Sequence, residues 1–139
     1  MMARRDEDGM VTAFVVGITL ALVMFVGLVL DGGYTLAARR EAISEADGAA
    51  RAAAQAVAVT TRMSPSADVD PRAAQEAVDG FLAPTGHRGR AAISGDSVNV
   101  SVSFSQPLYI LGAGGLMAVT VTGRGTAQAV RGIRTVRGP

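Results

Sequence analysis

The sequence predicts an α+β fold: a long N-terminal helix, a short second helix and a small antiparallel β-sheet. Three observations predict it. The 21 residues from Met10 to Leu30 carry no charge. After them, apolar side chains keep a helical spacing as far as Leu82. In the last third they alternate with polar ones, the period of a strand.

The first element begins behind a charged leader, residues 1–9, with Arg4 and Arg5 followed by Asp6, Glu7 and Asp8. At 1.5 Å per residue the run 10–30 makes a helix of about 31 Å, close to the hydrocarbon thickness of a bilayer. A helix apolar on every face has little core to hide in within a chain of 139 residues, so residues 10–30 read as a single transmembrane span. Charge does not orient it, because Arg4 and Arg5 on one side balance Arg39 and Arg40 on the other. Asp31, Gly32 and Gly33 mark the membrane exit and a candidate hinge, with Asp31 expected as a solvated flank. Two glycines forgo about 2 kcal/mol of helix propensity relative to Ala.

Residues 31–63 form an Ala-rich helical extension. Leu36, Ile43, Ala50 and Val57 recur every seven residues, with Ala46 and Ala53 between them. This thin stripe allows close helix packing, against the protein's own domain or against neighbours in an assembly. Ser64-Pro65-Ser66 should end the extension.

Residues 64–130 read as a small α+β domain. Asp70 is an N-cap and Pro71 a first helical residue. Ala74, Ala77, Val78, Phe81 and Leu82 give the helix one apolar face, and Pro84 and Gly86 close it. A first strand, Ala91–Ser94, turns at Gly95-Asp96 into Ser97–Ser105, where Val98, Val100, Val102 and Phe104 share one face. A last strand runs from about Met117 to Val130, with a bend or bulge expected at Gly123 and Gly125. The helix ending at Leu82 should cover the sheet. Residues 131–139, with Arg131, Arg134 and Arg137, form an Arg-rich flexible tail.

One loop stands out. Pro107–Met117 is uncharged and carries Leu108, Tyr109, Ile110, Leu111, Leu116 and Met117. It is either tucked into the core or a docking loop for a partner or a membrane surface. A domain with so few other large apolar side chains favours the core.

The chemistry of the chain is sparse. Net charge is +1 and argues against a nucleic-acid partner. There is no Cys, hence no disulfide and no thiolate site. His87 is the only histidine and should be solvated in its Gly/Arg loop. No nucleophile elbow, Walker loop or HExxH motif is present. The sequence therefore predicts no enzyme, no cofactor, no metal site and no small-molecule substrate.

Gly9, the run Met10–Leu30, Asp31-Gly32-Gly33, Ala38-Arg39-Arg40 and Ala46-Asp47-Gly48-Ala49-Ala50 through Ala54 follow one another in a fixed order. This order resembles the TadE/TadG-like proteins of tight-adherence (Tad/Flp) type IV pilus systems. The resemblance implies a pilin-like helix in the bacterial cytoplasmic membrane, with the C-terminal domain outside. It also implies a minor pilin or pilus-assembly accessory, partnered by other pilin or pilus-assembly proteins, at the membrane or on a surface pilus. Gly9 and Met10 are the matching candidate site for prepilin-type processing. A cut there puts Phe14 at the fifth mature position, where processed members carry Glu, so the sequence lies closer to the TadG-like branch with its uncleaved anchor. The alternative is a small secreted or anchored binding domain behind an ordinary signal peptide, cut near Thr35-Leu36-Ala37 and unrelated to pili.

Overall fold

The computed structural model describes residues 4–63 and 70–129. The expected break at Ser64-Pro65-Ser66, the start of the leader and the tail 131–139 lie outside the described residues. The described chain is α+β. Helix α1 spans Arg4–Met63 and α2 spans Pro71–Leu82. Strands β1 (Arg88–Ser94), β2 (Ser97–Pro107) and β3 (Ala118–Gln128) form one antiparallel sheet in the order β1-β2-β3. The chain divides into two compact units.

One unit is Ala37–Ser105 with Thr120–Pro139. Its core joins alanines of α1 to Ala74, Val78 and Leu82 of α2 and to Val98, Val100 and Val102 of β2. Two helices, not α2 alone, therefore cover the sheet. Burying Leu82 and each of those valines contributes about 1.5–3 kcal/mol per side chain. The sequence explains each element. Asp70 accepts a hydrogen bond from the Arg72 backbone N–H at 2.9 Å and Pro71 follows it, which starts α2. Both Thr85 and Gly86 donate to the Leu82 carbonyl at 3.1 Å, which stops it. Ser94 pairs with Ser97 across a two-residue turn whose first position, Gly95, has φ +60°, a value glycine adopts without strain. β1 begins at Arg88, three residues before the expected Ala91.

The buried face of α1 is Ala38, Ala42, Ala46, Ala49, Ala50, Ala53, Ala54 and Val57. Of the heptad stripe, Ala46, Ala50, Ala53 and Val57 lie within it, while Leu36 and Ile43 are 59% and 40% exposed. The cause lies in β3. A Cβ at Gly123 would collide with the backbone of Ala42 and Ile43, and one at Gly125 with that of Ala46 and Asp47. The helix axis is so close to the strand that only small residues fit between them, so the larger Ile43 is left outside. Gly123 and Gly125 thus sit at a close-packing site inside β3, where the sequence suggested a bend.

The other unit is Met1–Leu36 with Gln106–Val119. It contains the apolar run, which is helical and exposed throughout except at Gly27. This helix is long and apolar enough to cross a membrane. α1 passes through Gly32 and Gly33 without a break, and no atom lies where a Cβ at either position would touch it.

Candidate functional site

The apolar loop is built around a carboxylate. Asp31, one residue beyond the uncharged run, is only 1% exposed. Its Oδ1 accepts from the Tyr109 N–H at 3.0 Å. Its Oδ2 accepts from Ile110 N–H at 3.1 Å and Leu111 N–H at 2.7 Å. Three successive amides thus point at one charge, the arrangement of an anion nest. The sequence expectation of a solvated flank is therefore corrected: this carboxylate takes up the amides of a turn 78 to 80 residues away.

These amides hold the carboxyl below the ordinary carboxylate range, the Leu111 hydrogen bond most of all, then those of Tyr109 and Ile110, while desolvation acts in the opposite sense. A carboxyl lowered in the folded state keeps its hold above the ordinary range. It lets go only as pH falls through its own depressed value. The loop is thus held at every pH near neutrality.

The loop closes on itself as well. Leu108 N–H donates to the Met117 carbonyl at 3.1 Å, and a 3₁₀ turn, Leu111–Gly114, lies between. Ile110 fits against Gly27, where an added Cβ would stand 3.1 Å from the Ile110 Cβ. Tyr109 meets Tyr34 edge-on, with ring centroids 5.9 Å apart. None of the six large side chains is buried: Leu108, Ile110 and Leu111 are partly covered, while Tyr109, Leu116 and Met117 are 68%, 63% and 77% exposed. The favoured core reading of this loop does not hold. Asp31 fixes its backbone, and the fixed turn keeps its larger apolar surface outward.

Two polar devices in the other unit also escaped the sequence. The Gln75 side chain donates to the Gly89 carbonyl at 3.0 Å and accepts from the Ala91 N–H at 2.9 Å. It pairs backbone groups on the open edge of β1 as a neighbouring strand would. His87, expected in solvent, lies with Nδ1 2.8 Å from Glu45 Oε2, and its ring stacks on Phe104 at 3.8 Å. Among the described residues, no group of three or more His, Cys, Asp or Glu side chains is arranged to hold a metal ion.

No curated protein and no solved structure matches this chain significantly. Over residues 9–56, from the start of the apolar run through most of the buried alanine face, the chain matches the family described as "Putative Flp pilus-assembly TadE/G-like", the family its own residues resemble.

Proposed function

We propose that this chain is a membrane-anchored minor pilin or pilus-assembly accessory protein of a Tad/Flp-type pilus system. Its role is structural, not catalytic. The observation that carries this reading is the coincidence of the matched segment 9–56 with the exposed apolar half of α1 and its Ala-rich continuation. On this reading the chain sits in the bacterial cytoplasmic membrane with its C-terminal domain outside, as the family resemblance implies, among other pilin and pilus-assembly proteins. Gly32-Gly33 is the point where α1 can bend as it leaves the bilayer.

Two features favour an uncleaved accessory. Phe14 follows Gly9-Met10 where a shaft subunit would carry Glu. A signal-type cut at Thr35-Leu36-Ala37 would fall inside a continuous helix and remove Asp31 from its loop. Deleting the gene in its own host should abolish surface pili, and the full chain should restore them. Normal piliation in the deletion strain would overturn the reading.

The span itself is tested by Val16→Arg. Val16 is exposed within the apolar run. A charge at that depth costs about 2.5–3.5 kcal/mol on the insertion scale, less where the side chain snorkels. The variant should leave the membrane pellet on carbonate extraction. Retention at the wild-type level would mean that Val16 does not lie in the bilayer.

A further inference from the structure

We infer that the loop Pro107–Met117 rests in the interfacial layer of the same bilayer that α1 crosses, with Tyr109, Leu116 and Met117 in contact with lipid. The inference builds on the anchoring reading above. Four observations carry it.

The first is depth. Ile110 covers Gly27, the one buried position between Gly9 and Leu30. Gly27 lies three residues before the end of the run, roughly 4.5 Å inside it. If the run is in hydrocarbon, Ile110 is at its boundary. The second is the pairing of Tyr34 with Tyr109. Tyrosines gather where a membrane meets water, because the ring is apolar and the hydroxyl is not. The third is the absence of any charged residue from 107 to 117, together with the exposure of Tyr109, Leu116 and Met117.

The fourth is the backbone. Irregular chain is excluded from an apolar medium by its unpaired amides. Here the amides of Leu108, Ala113, Gly115 and Leu116 are bonded within the loop, and those of Tyr109, Ile110 and Leu111 to Asp31. Asp31 thus removes the main penalty for lowering this turn into the membrane surface. A second copy of the chain could cover the same side chains, but nothing in that arrangement would call for the loop to be fixed at the end of the apolar run.

The protein has no Trp, so a single introduced one reports alone. Met117→Trp and, as a reference, Leu20→Trp in mid-run would be made in the full chain and reconstituted in phosphatidylcholine vesicles with acyl chains brominated at shallow or deep positions. The expected result is loss of most Met117→Trp emission to shallow bromine and of most Leu20→Trp emission to deep bromine. Leu116→Trp should behave as Met117→Trp does. If Leu20→Trp is quenched and both loop reporters are not, the anchor stands and the loop inference falls. Quenching by aqueous iodide would then place the loop in water, and protection from iodide would place it against another protein. If Leu20→Trp itself escapes bromine, the anchoring reading fails and the inference with it.

Discussion

Gly123→Val should destabilise the sheet-bearing unit by about 3 kcal/mol or more, at the top of the overpacking range. Valine favours strands and glycine weakens them, which alone would stabilise β3 by roughly 0.5–1 kcal/mol. The steric effect wins because the obstacle is the α1 backbone at Ala42 and Ile43, which cannot rotate away as a side chain can. A domain this small has about 5–15 kcal/mol in total, so the loss is a large fraction. Gly125→Val should act alike against Ala46. Gly80→Ala is the contrasting case. Gly80 is an exposed residue of α2 with nothing within 4 Å of an added Cβ, so the change should stabilise by about 0.5–1 kcal/mol. Hydrogen exchange at Val98, Val100 and Val102 in the detergent-solubilised full chain measures all three. Unchanged protection in Gly123→Val would mean that helix and strand are further apart than described.

Asp31→Ala should release the loop while leaving the rest of the fold in place. Three backbone donors lose one shared acceptor. Exchange of the Tyr109, Ile110 and Leu111 amides should accelerate by about tenfold or more. The helical signal in circular dichroism should be unchanged, because α1 draws its own hydrogen bonds from within. Asp31→Asn should fall between the two, since its single carbonyl oxygen can face only one side of the nest while its NH₂ meets the remaining donor. Equal exchange rates in all three proteins would show that the carboxylate does not hold the loop.

The two predictions test what the sequence did not show, and the reason is the same in both. Local pattern was enough for α2, whose cap, first proline and apolar face lie within 13 consecutive residues. It was enough for β2, the Gly95-Asp96 turn and the part of β1 next to that turn, Ala91–Ser94, where alternation and turn chemistry are adjacent. It carried the long helix as well, since an uncharged run followed by an alanine tract leaves few other conformations. Long-range pairing was not legible. Gly123 and Gly125 look like weak points in a strand until the helix backbone they accommodate, some 80 residues earlier, is placed beside them. Asp31 looks like a membrane flank until the amides of residues 109–111 arrive. Gln75 and His87 are ordinary surface residues by composition. Their partners, Gly89, Ala91, Glu45 and Phe104, are set by how the helices lie on the sheet. One trace was present: a single acid ends the uncharged run, and the loop 107–117 has no acidic side chain of its own to take up its amides.

The alanine face also explains why a chain so poor in large apolar groups folds. Ala42, Ala46, Ala49, Ala50 and Ala53 bury little area each, but at Ala42 and Ala46 the α1 backbone comes so close to Gly123 and Gly125 that no Cβ fits between. The same economy leaves the side chains of the 107–117 loop unused by the core, and therefore available to a surface outside it.

The most direct measurement is the intact mass of the protein extracted from native membranes. The anchored, uncleaved reading predicts a chain beginning at Met1 or Met2, found in the carbonate-resistant membrane fraction. A chain beginning at Met10 would point to prepilin-type processing and a place in the shaft. A chain beginning near Ala38 and recovered outside the membrane would contradict the account, because it would have lost both the span and the Asp31 carboxylate that holds the loop.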